Sequence, residues 1–149
     1  MNGIIMPENH QDDRREGFLE KIKDILKKGA EERGLKEGLT TTPTDEFKGF
    51  YIDMPKKQKD MYHGSVYGIL CNTFGTLCKI KGDLVIDEDH DYEVTKRLET
   101  SDCKVSGVHT HVDMREDKKL PYRESHIHFI CDDKDRTDTI STINFLKDY

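Results

Sequence analysis

The chain has 149 residues, of which 34% are hydrophobic and 36% are charged, and its formal net charge at pH 7 is -6. This length provides for one domain with a core and excludes two domains of ordinary size. Acidic and basic residues are mixed along the chain, and no apolar run approaches the roughly 20 residues of a membrane helix, so we expect neither a nucleic-acid duplex nor a membrane as a partner.

The amino-terminal part predicts a tail and one helix. Residues 1–12 are polar and are expected to form a flexible tail, so a single domain is predicted over residues 13–149. The tail lacks the basic and apolar regions of a secretory signal, which predicts a cytoplasmic location. Asp12 or Asp13 can cap a helix that Gly34 ends. The buried face of this helix is predicted from apolar residues at helical spacing: Phe18, Leu19, Ile22, Ile25, Leu26 and Ala30.

The middle of the chain predicts three strands and a short helix. Residues 40–45 have the composition of a loop, and Gly82 and Asp83 have that of a kink or turn within the third strand. Acidic residues 87–91 predict the start of a short helix, because negative charge is favoured at a helix amino terminus. The predicted strands are residues 47–54, 65–72 and 76–86.

The last third predicts two further strands, over residues 103–112 and 125–131, with a charged loop between them and a helix after them. Asp132, Asp133 or Asp135 can cap that helix. The predicted order of elements is αβββαββα, and short turns join most neighbouring strands. We therefore predict an α+β fold with a largely antiparallel sheet and helices packed on one face.

Four cysteines are spread along the chain without a C-x-x-C pair, at Cys71, Cys78, Cys103 and Cys131. Their spacing does not favour a zinc ribbon or a disulfide framework. Because free cysteine is among the residues most often buried, we expect buried or half-buried thiols.

Two His-x-His pairs are the most informative feature of the chain: His109 with His111, and His126 with His128. Alternate side chains of a strand share one face, so each pair projects two imidazoles to one side. If the two strands pair with His109 opposite His128 and His111 opposite His126, the four imidazoles form one patch. The other face would then pack against helices through Val108, Thr110, Val112, Ile127 and Phe129.

Several short motifs follow one another in order. Residues 75–77 lead into K-G-D-L-V-I-D-E-D at residues 81–89, and K-V-S-G-V-H-T-H at residues 104–111 precedes S-H-I-H-F at residues 125–129. This order resembles the LppY/LpqO family, a group of largely uncharacterised bacterial proteins, as a single-copy, divergent member. The chain departs from the family at Thr110, where the family tends to have Asn. The resemblance implies that the His-x-His strand is a recurring site, and it implies no particular reaction.

Neutral imidazole is the commonest protein ligand of divalent transition metals. We therefore predict a site for zinc, manganese or iron on His109, His111 and His126. A catalytic metal would activate a water for attack on a small polar or phosphorylated substrate, and Glu124 and Glu116 could move protons. This interpretation describes a metal-dependent hydrolase.

Other interpretations stay open at this point. The protein can be a non-catalytic binding protein, a sponge or inhibitor for a small anionic molecule or nucleotide, with Arg115, Arg123 and His128 contacting the ligand. The histidines can also be ordinary exposed residues of a sheet, and the charged first helix can recruit a partner. A cupin motif would need glycines that are missing here. A two-histidine phosphoesterase would need Ser or Thr where His111 and His128 stand.

Overall fold

The computed structural model describes residues 6–35, 38–43, 48–56, 64–72, 76–113 and 122–149. Its helices are α1, Met6–Glu32, α2, Asp91–Thr100, and α3, Arg136–Leu146, and a 3-10 turn, Glu88–His90, leads into α2. Its strands are β1, Thr40–Pro43, β2, Lys48–Asp53, β3, Val66–Cys71, β4, Leu77–Asp87, β5, Cys103–Asp113, and β6, Tyr122–Asp135.

The six described strands form one sheet in the order β1-β2-β3-β4-β6-β5, and every neighbouring pair is antiparallel. The three helices pack on one face of this sheet and share with it one hydrophobic core. The predicted α+β class, with a largely antiparallel sheet and helices on one face, is confirmed. Because β6 lies between β4 and β5, the two strands that carry the histidines are neighbours at one edge.

Two local predictions in the middle of the chain are wrong. Residues 40–43 were expected in a loop, but they form β1 and pair with β2, because β-branched threonines suit a strand and Pro43 is tolerated on an edge strand. Gly82 and Asp83 lie within the continuous strand β4 and make no turn. Gly82 lets β4 lie close to β3, since a Cβ atom there would be 2.6 Å from the carbonyl oxygen of Val66.

Helix α1 begins at Met6, earlier than the predicted caps at Asp12 or Asp13, so residues 6–12 are helical. Its predicted end at Gly34 is confirmed. Gly34 has a φ of 73°, and the amide nitrogens of Gly34 and Leu35 donate to the carbonyl oxygens of Glu31 and Ala30 at 3.0 Å each. These two bonds satisfy carbonyls that the end of a helix leaves without partners.

The cap of α3 is Asp135, one of the three predicted candidates. Its side-chain Oδ1 accepts a hydrogen bond of 2.8 Å from the amide of Asp138, which satisfies one of the free donors of the first turn. The helix buries Ile143, Phe145 and Leu146 in the core. Within the part of the chain that the structure describes, no helix is both long enough and apolar enough to cross a membrane.

The prediction of free thiols is wrong. The four cysteines are buried, but they form two disulfides, Cys71–Cys78 between β3 and β4 and Cys103–Cys131 between β5 and β6. Within each pair the two residues are direct partners across adjacent strands, with Cα atoms 4.0 and 4.2 Å apart. The pairing depends on the register of the sheet, which cysteine spacing along the chain does not reveal.

Candidate functional site

Four imidazoles form one cluster on the sheet face opposite the helices. His109 is at its centre, with its ring centroid 4.9 Å from His111, 5.1 Å from His126 and 5.0 Å from His128, and the ring of His111 lies 4.3 Å from that of His126. The predicted patch is therefore present, and β5 and β6 are adjacent and antiparallel as expected.

The predicted register, in contrast, is wrong by two residues. His109 lies opposite His126, His111 lies opposite Glu124, and His128 lies opposite Gly107. A shift by two residues keeps every side chain on its face, so the cluster survives the error. The consequence is that Glu124 enters the same row as His111.

A β-bulge in β5 decides which face carries the histidines. Val105 pairs with Phe129, but Gly107 pairs with His128, so Ser106 is an extra residue in β5. Before the bulge, odd-numbered residues such as Cys103 point to the core. After it, the odd-numbered residues His109 and His111 point to the opposite face. The extra residue changes the alternation of the strand and aims its imidazoles away from the helices.

Three of the histidines can hold a metal ion. One ring nitrogen from each of His109, His111 and His126 can be chosen so that all three lie within 4.8 Å of one another. Around a tetrahedral zinc ion such nitrogens would be about 3.4 Å apart, given bonds of 2.0–2.1 Å. His109 and His111 are exposed, so their side chains can rotate to close the difference, whereas His126 is fixed by burial. The residue types and the spacing therefore fit a divalent transition metal.

The neighbours of His109 favour its neutral form. Loss of hydration lowers the pKa of this imidazole below its usual value, and the nearby rings of His126, His111 and His128 lower it further, while the carboxylate of Asp83 opposes the shift. Neutral imidazole is the form that binds a metal, since its free nitrogen supplies the lone pair.

His126 lies between two carboxylates. Its Nε2 is 2.9 Å from Oε1 of Glu124, and its Nδ1 is 3.3 Å from Oδ2 of Asp83. A neutral imidazole has one N–H and can donate to one of these oxygens only, so the second contact requires a further proton or a metal ion at the site.

Two carboxylate oxygens at this site have no hydrogen-bond partner among the described residues: Oε2 of Glu124 and Oδ1 of Asp83, both buried. Glu124 is only 1% exposed. A buried polar atom without a partner costs about 1–3 kcal/mol, so each of these oxygens has room to accept a hydrogen bond from a water or to contact a cation. Both atoms belong to side chains that contact His126.

Models of protein families, curated proteins and solved structures were compared with this chain. None of the three comparisons finds a match. The resemblance to the LppY/LpqO family therefore stays a prediction.

The other predicted site residues are distributed differently. Glu124 and His128 lie on the histidine face, but Arg123 does not, because it alternates with Glu124 on β6, and its Nε pairs with Glu88 at 2.9 Å. Arg115 and Glu116 lie outside the described residues, so their predicted roles are not placed by the structure.

The helices cover only part of the sheet face that β5 and β6 turn toward them. Ile127 and Phe129 are buried as predicted, but Val108 is 45% and Val112 38% exposed, and Thr110 is exposed as well. Strand β5 is at the edge of the sheet, and the described helices do not cover its second half. The prediction that all five residues pack against helices is thus wrong for three of them.

Asp83 is the residue that sequence reasoning missed. It lies on β4 opposite His128, and Oδ2 contacts both His126 and, at 4.0 Å, Nε2 of His128. A signal was present in the sequence, because Asp83 is a single acid directly before the apolar run Leu84, Val85 and Ile86. Recognising it required knowing that β4, and not only β5, neighbours β6.

Proposed function

We propose that His109, His111 and His126 bind one divalent transition ion and that the protein is a metal-dependent hydrolase of small polar or phosphorylated molecules. The observation that carries the proposal is the convergence of three ring nitrogens within 4.8 Å on two paired strands. Three imidazoles favour zinc over manganese, which prefers oxygen ligands, and over non-haem iron(II), which typically combines two imidazoles with one carboxylate. When bound, such an ion lowers the pKa of a bound water toward about 7.

In the proposed hydrolysis, the oxygen of a water forms a bond to phosphorus or to a carbonyl carbon. The bond to the leaving group breaks, and the leaving group accepts a proton. Glu116 is the proposed proton carrier. Glu124 is better suited to orienting His126, because it is buried and its Oε1 already contacts the ring at 2.9 Å.

The first test is metal content and zinc affinity, measured on the intact protein, on the His109→Ala/His111→Ala double variant, and on His90→Ala as a matched control. His90 is exposed in the turn before α2 and is not one of the four clustered histidines; its Nδ1 lies 3.9 Å from Oε2 of Glu93. We expect one equivalent of zinc in the wild type and in the control, and none in the double variant. Absence of stoichiometric binding in the wild type would overturn the metal proposal.

Thermal unfolding gives an independent measurement of the same binding. Zinc at 100 times its dissociation constant should stabilise the fold by about 2.7 kcal/mol. For a protein of this size that corresponds to a rise in Tm of roughly 5–11 °C. The rise should disappear with EDTA and should be absent from the double variant.

The hydrolase part has its own test. Zinc-loaded protein would be assayed with 4-nitrophenyl phosphate, bis(4-nitrophenyl) phosphate and 4-nitrophenyl acetate. Turnover that EDTA abolishes and the double variant lacks is expected. Stoichiometric zinc without turnover of any of the three would retain the metal site and reject hydrolysis of phosphate esters and activated esters.

A second candidate is a non-catalytic binding protein for a small anionic molecule. It is favoured by a groove of about 280 Å³ that adjoins the cluster at His128 and Asp83. This function needs no metal, so metal content discriminates between the two candidates.

The compartment is part of the proposal. Two disulfides are typical of proteins in oxidising environments and are rare in the cytoplasm. We therefore propose an oxidising location in place of the cytoplasmic one expected from the amino-terminal sequence. Quantifying free thiols in protein taken directly from its native compartment tests this, since four free thiols would reject it.

A further inference from the structure

A groove on the histidine face lies between β2, β3, β4 and β6, directly beside the cluster. Its volume is about 280 Å³, and its lining includes Tyr51, Val66, Lys81, Asp83, His128 and Ile130. One end is formed by Asp83 and His128, which belong to the cluster. The other end is formed by Tyr51 and Lys81, to which no role has been assigned so far.

The far end of the groove combines an aromatic wall with a cation. The Tyr51 ring lies across Gly68, where a Cβ atom would come within 2.8 Å of Cε1 of the ring, so glycine is what lets the ring lie close to the sheet. Nζ of Lys81 is 5.6 Å from the centroid of that ring. Within the described chain, Lys81 has no carboxylate partner within 4.0 Å, in contrast to Lys79, which pairs with Asp132 at 3.6 Å.

The wall between the two ends is apolar. Val66 is half-buried, and Ile130, which lies opposite Lys81 on β6, is 39% exposed on this face. Covering an exposed aliphatic side chain with an apolar ligand is favourable, because it removes apolar surface from water. The groove thus offers an apolar middle, a cation at one end and the imidazoles at the other.

We propose that this groove binds small organic oxyanions that have an apolar, flat body, with the carboxylate or phosphate on Lys81 and the body against Tyr51 and Ile130. Lys81 and Asp83 are two residues apart on one strand, which places the anion roughly 7 Å from the edge of the histidine cluster. The proposal rests on the proposed function only in assigning the cluster end of the ligand to the reacting bond. It deepens that function by naming the substrate class.

The test is a titration of metal-free protein, kept in EDTA, with benzoate, followed by the shifts of backbone amides in NMR spectra. Benzamide, which has the same shape and no charge, is the matched ligand. We expect benzoate to shift amides around Tyr51 and Lys81, and Lys81→Gln to weaken its binding about tenfold, as expected from the loss of one charged hydrogen bond. Lys79→Gln, on the same face and strand but outside the groove, should bind benzoate like the wild type.

Phenyl phosphate, titrated in the same way, distinguishes the two oxyanions, and the tighter of the two identifies the anionic group. Equal affinity of wild type and Lys81→Gln for both anions, or shifts that lie elsewhere, would overturn the groove proposal. Zinc affinity of Lys81→Gln should equal that of the wild type. Failure of the groove therefore leaves the metal result intact, and absence of zinc binding leaves the result with metal-free protein intact.

Discussion

The two disulfides should contribute unequally to stability, because they close loops of different length. Cys103 and Cys131 are 28 residues apart, and Cys71 and Cys78 are 7 residues apart. In the chain-entropy model, a bridge removes conformational entropy from the unfolded chain, by a constant amount plus an amount that increases with the logarithm of the loop length. That relation gives about 3.6 kcal/mol for the longer loop and about 2.4 kcal/mol for the shorter.

The prediction is tested with the Cys103→Ala/Cys131→Ala and Cys71→Ala/Cys78→Ala variants in urea unfolding at 25 °C. All four positions are buried, so each variant also loses two buried sulfurs, and this common cost cancels in the comparison. We expect the first variant to be less stable than the second by about 1.2 kcal/mol. Relative to the wild type, the Tm of the Cys103→Ala/Cys131→Ala variant should fall by roughly 7–14 °C, which corresponds to the loss of about 3.6 kcal/mol of loop entropy.

Two results would refute this reasoning. Equal stability of the two variants, or greater loss from the shorter loop, would show that loop entropy does not determine the contribution of each bridge. Mass spectrometry of protein unfolded without reductant and then alkylated would reject the bridges themselves if it found four modified thiols. Intact bridges should leave all four cysteines unmodified until a reductant is added.

Three further predictions concern the core and the helices. Burial raises the pKa of Tyr67 to about 12, whereas in the unfolded chain the phenol loses its proton near pH 10. The free energy of unfolding, measured in urea, should therefore fall by about 3 kcal/mol between pH 10 and pH 12. Tyr67→Phe should flatten that decline. Ile127→Ala should lower the free energy of unfolding by about 2–5 kcal/mol, because Ile127 is fully buried. Val108→Ala, at its exposed cross-strand partner, should change it by less than about 0.5 kcal/mol. Similar losses in the two variants would contradict the finding that the helices cover Ile127 but not Val108. Asp135→Ala should cost about 1 kcal/mol through loss of the α3 cap, and an unchanged free energy of unfolding would show that the cap bond to Asp138 is not formed in solution.

Much of the fold was predictable, because most elements have local signals. The final helix illustrates this, since an aspartate cap at Asp135 and apolar residues at helical spacing act within one segment. Strand β1 shows where local signals fail, because three threonines and a proline look like a loop until β2 supplies the hydrogen bonds of a neighbouring strand.

The candidate site was predictable to the extent that it depends on alternation along a strand. The four histidines could be assigned to one face, but their register and the bulge at Ser106 depend on pairing between strands that are distant in sequence. Asp83 reaches His126 from a third strand, and the disulfides need direct cross-strand positions. Such facts are properties of the assembled sheet, and the spacing of residues along the chain does not contain them.

The bulge at Ser106 gives one strand two separate chemistries. Cys103 and His109 are both odd-numbered, and in a regular strand they would project into the same layer. The inserted residue places the disulfide sulfur of Cys103 among apolar side chains and the imidazoles on the side away from the helices. A deletion of one residue at this point would leave every functional side chain in the sequence, yet the strand would have to give up either its covalent bridge or its place in the histidine cluster. The number of residues between Cys103 and His109 is therefore as important to this site as the histidines themselves.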